Sequence, residues 1–216
     1  MADLILALDL LDPMYAREVA ESCAASLDAI KLGYPLILSA GLGVVKDLAD
    51  LGLPLIADFK VADIPNTNGL IANQVFSAGF DAIICHGFTG RDAVEACVDA
   101  AHAYGGECFV VAEMSHPGAL SFFSRGVAEQ IATLAVECRA DGIIAPATRP
   151  ERIRALRSVV RSRKIYSPGI GTQGGDLRSV LPLVEGVIVG RTIYGAADPA
   201  KEAAVMAAIV NDERSS

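Results

Sequence analysis

Eight short apolar runs punctuate the chain, at residues 4–10, 29–33, 55–59, 82–85, 108–113, 142–145, 164–167 and 186–189. Each is followed by a stretch with helical periodicity. The last of these amphipathic stretches covers 199–210, and the alternation reaches it with no linker or change of composition. A strand that is always followed by a helix can pair with the next strand only in parallel, because the helix carries the chain back to the starting edge. Eight such units predict one α/β domain over residues 1–216, a closed (β/α)8 TIM barrel. The competing open, doubly wound sheet usually shows a Gly-rich turn after its first strand, and here that position reads DLLDPMY, with no dinucleotide fingerprint.

Composition narrows the function. Hydrophobic residues make up 52% of the chain, enough for a large core without a disulfide or metal staple. The five cysteines show no C-x-x-C pair and sit mostly in apolar segments, as small core residues do. A net charge of −8 disfavours a groove for a phosphate backbone, so nucleic acid is not the expected partner. No apolar run approaches the roughly 18 residues of a membrane span, and the acids at Asp3, Asp9 and Asp12 argue against a secretory leader. The expectation is a cytoplasmic enzyme acting on a small molecule.

In a barrel of this kind the ligand site lies at the carboxyl ends of the strands. The third unit reads PLIADFKVADIPNTNG, and alternation puts Ile56, Asp58 and Lys60 on one face and Leu55, Ala57 and Phe59 on the other. The second set can pack on helices, so Asp58 and Lys60 face the barrel axis. The same parity turns Asp9, at the end of ALDL, and Lys31, in AIKLG, inward, while Asp63 adds a charge just past the third strand. Salt bridges closing the barrel rim are one reading of this set. They are an expensive source of stability compared with apolar packing, which favours a catalytic reading.

The seventh run leads into YSPGIGTQGGDLR and the eighth into GRTIYG. Gly169, Gly171, Gly174 and Gly175 make a loop that can approach an anion closely, and the loops after strands seven and eight are the usual barrel phosphate site. Arg191 offers a charge-assisted fork, Gly190 a backbone donor, and Gln173 can reach in from the loop. Of the three histidines, His116 lies near a strand end, but no other histidine or cysteine has ligand spacing with it, so a structural loop role is expected.

Taken in order, ALDL, IKLGYPL, ADFKVADIPNTN, MSHPG, SPGIGTQGG and VIVGRTIYG resemble the motifs of the orotidine 5′-monophosphate decarboxylase family over nearly the whole chain. The D-x-K-x-x-D core is shared with related metal-dependent phosphosugar barrels, whereas the continuation through Ile64 and Thr67 is more specific. Those relatives carry a glutamate where Lys31 stands, and a lysine there repels a divalent cation.

The resemblance implies decarboxylation of orotidine 5′-monophosphate to uridine 5′-monophosphate, without metal or cofactor, in a homodimer with shared active sites. It assigns Lys31, Asp58, Lys60 and Asp63 to a catalytic charge network, with Asp63 supplied by the neighbouring subunit. Asp9, Lys31, Ile64, Thr67, Ser115, Pro168, Gln173, Gly190 and Arg191 are implied to bind substrate. Thr172, in the Gly-rich loop, is not expected to be critical. Two alternatives are a magnesium-dependent phosphosugar lyase on the same barrel, and a non-catalytic protein that keeps only the phosphate grip.

Overall fold

The computed structural model describes residues 2–214. Its eight strands are β1 (Asp3–Leu8), β2 (Ala29–Gly33), β3 (Leu55–Val61), β4 (Ala82–His86), β5 (Glu107–Val111), β6 (Gly142–Ile144), β7 (Lys164–Pro168) and β8 (Gly186–Val189). They close into a barrel in sequence order, all parallel, with β8 returning to pair with β1. Around them run α1 (Pro13–Cys23), α2 (Tyr34–Ala40), α3 (Val44–Ala49), α4 (Pro65–Ala78), α5 (Arg91–Ala103), α6 (Val127–Glu137), α7 (Pro150–Val160), α8 (Leu177–Val180), α9 (Arg191–Tyr194) and α10 (Pro199–Arg214). The expected barrel is present as one domain.

Two cores hold it together. The larger lies between strands and helices and contains Leu55, Ala57 and Phe59 as their parity requires, together with all five cysteines, which are free and buried. The smaller fills the barrel and is built from inward residues such as Ile5, Ala7, Ala29, Ile56, Ile84, Val111 and Ile188. Within it Phe109 and Tyr166 stack with ring centroids 4.4 Å apart. Two aromatic rings fit inside so narrow a barrel because neighbouring strands give way. A Cβ at Gly142 would lie 2.7 Å from the Phe109 ring, and one at Gly186 2.7 Å from the Tyr166 ring. The lower part of the barrel is therefore packed, and the cavity that strands β1 to β8 line lies above, at their carboxyl ends.

Strand limits differ from the periodicity in three instructive places. The first run is apolar to Leu10, yet β1 stops at Leu8, because Asp12 caps α1 by accepting from the Met14 and Tyr15 amides at 2.9 and 3.3 Å. The fifth ends at Val111 rather than 113, since Glu113 turns aside to ion-pair with arginines. The third runs two residues further than expected, and its ladder to β4 jumps from Ala57↔Ile83 to Val61↔Cys85, so two extra residues bulge out of β3.

Candidate active site

The bulge is where the chemistry stands. Lys60 adopts φ +44°, a left-handed backbone that an L-residue takes only when its surroundings impose it. Simple alternation gives Lys60 the right face, but the bulge sets its height and angle. On the next residue back, the Phe59 ring is clamped between Tyr34, stacked at 5.2 Å, and Phe80, edge-on at 5.8 Å. These rings anchor the outer side of the bulge.

Asp58 lies between two cations. Lys31 Nζ donates to its Oδ2 at 2.6 Å, and Lys60 Nζ donates to its Oδ1 at 2.7 Å. Lys31 is only 4% exposed, and its ammonium also lies 3.9 Å from Asp9 Oδ1. Burial alone would raise the Asp58 pKa, but the two ammonium groups outweigh it and hold the carboxyl below its ordinary value. Gly33 leaves room beside this chain of charges, because a Cβ there would come within 2.5 Å of Asp9 Oδ1 and displace that carboxylate. Asp9, Lys31, Asp58 and Lys60 thus converge from three adjacent strands, as the parity predicts.

They line a cavity of about 210 Å³ whose other walls include Ser115, Pro168, Gln173, Gly190 and Arg191. The Gly-rich loop reaches over this cavity, and Ser115 Oγ donates to Gln173 Oε1 at 2.8 Å across the mouth. Gly169, Gly171 and Gly174 all have positive φ, which lets the loop fold back so that Gly171 N donates to Gly175 O at 2.9 Å. Nine of the twelve residues singled out in the sequence therefore share one cavity.

The other three do not. Asp63, Ile64 and Thr67 stand outside the cavity of their own barrel. Asp63 is exposed, its Oδ1 accepting from the Ile64 amide at 2.7 Å, and Ile64 is 64% exposed. The turn they form is rigid: buried Asn68 accepts from the Asp63 amide at 2.9 Å and donates to Ala93 O at 2.9 Å.

Two features were not foreseen. The first is an ion cluster under Ser115. Buried Glu113 receives Arg149 Nε at 3.0 Å and Arg152 Nε at 2.8 Å, while Arg149 also donates to the Met114 and Ser115 carbonyls. A glutamate inside the fifth apolar run and the basic ATRPER after the sixth were the available signals. The second is His86, at the end of β4, which shares inward parity with Ala82 and Ile84 and packs at 4.7 Å on Phe88. Burial first, and the nearby Lys60 second, lower its pKa to about 4, and its Nδ1 is buried with no hydrogen-bond partner. His116 is an exposed loop residue, as expected.

His86 gives a pH prediction. Its folded pKa of about 4 lies below the ordinary 6.5, so between these values the unfolded chain binds the extra proton. Stability is fully present above about pH 6.5 and declines as the pH falls toward 4. Asp58, whose pKa is lowered from 3.8, adds its own loss only below that window. Urea midpoints measured from pH 7 to 4 should decline less steeply for His86→Asn than for the natural chain. Parallel curves would show that His86 is not held neutral by the fold.

Residues 2–206 match the model of the Orotidine 5′-phosphate decarboxylase / HUMPS family. The orotidine 5′-phosphate decarboxylase of Methanosarcina barkeri is 50% identical over 212 residues, covering 97% of this chain and 95% of that protein. That of Thermococcus kodakarensis is 50% identical over 204 residues, covering 93% and 92%. Among solved structures, orotidine 5′-monophosphate decarboxylase from Methanocaldococcus jannaschii, complexed with the inhibitor BMP, superposes with a TM-score of 0.94 at 40% identity, over 98% of this chain and 99% of that one. The enzyme from Pyrococcus horikoshii OT3 gives a TM-score of 0.88 at 41% identity, over 96% and 99%.

Proposed function

The chain belongs to the orotidine 5′-phosphate decarboxylase / HUMPS family, and from that premise we propose that it converts orotidine 5′-monophosphate to uridine 5′-monophosphate and carbon dioxide, as a cofactor-free carboxy-lyase of pyrimidine biosynthesis. The observation that carries this reading is the alternation Lys31–Asp58–Lys60, with both ammonium groups within 2.7 Å of one carboxylate at the foot of the cavity. Loss of carbon dioxide from carbon 6 leaves an electron pair in the plane of the pyrimidine, where the ring cannot delocalise it. A fixed cation beside that carbon is the most direct way to stabilise it. Lys60 is that cation and then the proton donor, and transfer of its proton to carbon 6 completes the product. Asp58 sits beside the departing carboxylate, and relief of like-charge stress accompanies its loss.

The remaining roles follow the geometry of the cavity. Asp9 and Lys31 hold the ribose hydroxyls, Ser115 reads the pyrimidine edge, and Gln173, Gly190 and Arg191 grip the phosphate against the wall that includes Pro168. The Glu113–Arg149–Arg152 cluster supports Ser115 by holding the carbonyls of its loop. Lys31 also bears on the metal-dependent alternative: an ammonium 2.6 Å from Asp58 occupies the ground a divalent cation would need and repels it. The intact Lys60 and Asp58 speak against a protein that merely binds phosphate. Five buried free cysteines suit a reducing cytoplasm. Metal-stripped protein, incubated with orotidine 5′-monophosphate and followed by ultraviolet absorbance, should form uridine 5′-monophosphate. Activity that is lost with chelator and returns with magnesium would favour the phosphosugar lyase.

Asp63, Ile64 and Thr67 act in the partner's barrel of a homodimer. The exposure of Asp63 and Ile64, and the position of all three outside their own cavity, support this, as do the exposed apolar side chains of Ile64, Leu70 and Phe88. Asp63 then reaches the partner's Lys60 and completes the alternation of charge. Mixing inactive Lys60→Ala protein with inactive Asp63→Ala protein should restore about a quarter of the natural rate, because random exchange gives half heterodimers, each with one complete site. Demonstrated subunit exchange with no recovery of activity would rule out sharing.

A further inference from the structure

The Gly-rich loop is fastened at a second point that the proposed roles do not use. Thr192 Oγ1 receives the Thr172 amide at 3.2 Å, lies 3.1 Å from Thr172 Oγ1, and approaches Ile170 O at 3.5 Å. A hydroxyl has one proton and two lone pairs. One assignment uses all of them: Thr192 donates to Ile170 O and accepts from both the amide and the hydroxyl of Thr172. The loop backbone comes so close here that a Cβ on Gly171, whose φ is +68°, would collide with Thr192 Oγ1. The pairing thus depends on glycine at 171 and on a hydroxyl at 192.

The placement of this contact gives it meaning. Thr192 follows Arg191 directly, and Thr172 precedes Gln173 directly. The two residues given to the phosphate, one on α9 and one on the loop, are each a single peptide bond from a partner in the contact. Gln173 is separately bound to Ser115 on the opposite side of the mouth. The loop tip is otherwise exposed from Gly171 to Gly174, so these two contacts decide where it lies. We propose that the Thr192 hydroxyl is a latch that ties the 169–175 loop to the strand-eight loop, a positioning residue that sets the spacing of Gln173 and Arg191 around the substrate phosphate. The proposal rests on the phosphate reading given above, and it assigns Thr172 a role that its family resemblance did not suggest.

Three variants test it: Thr192→Val, which keeps the shape and loses the hydroxyl; Thr192→Ser, which keeps the hydroxyl; and Thr172→Val, which loses one of the three contacts and retains the amide. Two measurements are made on each, amide hydrogen exchange across 169–175 with uridine 5′-monophosphate bound, and kcat/KM for orotidine 5′-monophosphate. Thr192→Val should speed exchange in this loop alone and lower kcat/KM by about fivefold to thirtyfold, the value of one to two net hydrogen bonds. Thr192→Ser should stay within about twofold of the natural chain, and Thr172→Val should fall between. If Thr192→Val does not fold, the exposed Thr172→Val variant carries the test. Loop exchange and kcat/KM unchanged in Thr192→Val would overturn the latch, as would a Thr192→Ser loss as large as that of valine. Should the natural chain fail to decarboxylate orotidine 5′-monophosphate, the functional reading falls by itself, and exchange measured with inorganic phosphate still decides whether Thr192 holds the loop.

Discussion

Lys60→Ala should abolish decarboxylation and leave the barrel folded. The fold survives because Lys60 belongs to neither core, and its side chain is 36% exposed. Asp58 keeps Lys31 at 2.6 Å after the substitution, so no buried carboxylate is left without a cation. The expected chemical loss is large because the proposed mechanism gives one side chain two tasks. Removing a preorganised charge facing the carbanion typically costs on the order of 10²–10³-fold in rate. Removing a positioned proton donor costs about 10²–10⁴-fold more. Together they place the variant at least about 10⁴-fold below the natural enzyme, beyond what a standard absorbance assay detects. Circular dichroism and a thermal melt should meanwhile match the natural chain closely. A folded variant that retains activity within about tenfold would remove Lys60 from the centre of the mechanism.

Much of this site is legible in the sequence because a strand alternates with a strict period of two. Asp9, Lys31 and Asp58 are found by counting from neighbours whose burial is obvious, and the structure brings them together as counted. Lys60 marks where counting stops being sufficient. Two extra residues in β3 break the ladder beside it, and its height and angle depend on a left-handed backbone that no periodicity encodes. Glu113 and its arginines stand out singly in the sequence, but their pairing does not, for another reason. Their partners lie 36 and 39 residues away, so the pairing exists only once β5 and β6 are neighbours. The Thr172–Thr192 contact is harder still, since hydroxyl pairs between two loops follow neither period nor charge. Asp63, Ile64 and Thr67 illustrate the converse: their motif is plain in the sequence, but a single barrel gives them no cavity to act in.

The phosphate lies far from the bond that breaks, yet it should govern the chemical step. Gly169 to Gly175 form a loop whose ordering over the ligand costs conformational entropy, on the order of 1 kcal/mol or more per residue fixed. On the proposed phosphate roles, contacts from Gln173 and Arg191 offset that cost only when the phosphate is present. Closure also excludes water from the cavity, which strengthens the field of Lys60 at carbon 6. Binding energy from the remote group is thereby expressed in the transition state, so a nucleoside substrate without the phosphate should lose kcat as well as affinity. Arg191→Ala should produce a similar loss with the complete nucleotide. Arg191 is exposed at the rim of the cavity, and as a plain surface arginine its removal would change kcat/KM by less than about 1 kcal/mol. Covered by the loop and paired with a phosphate, it becomes one half of a desolvated charge pair, and truncation should cost about 2–5 kcal/mol. Steady-state kinetics with both substrates separates the two cases. The variant should lose most of its advantage for the nucleotide and little of its slow turnover of the nucleoside. An unchanged kcat/KM for the nucleotide would mean that the phosphate binds elsewhere in the cavity.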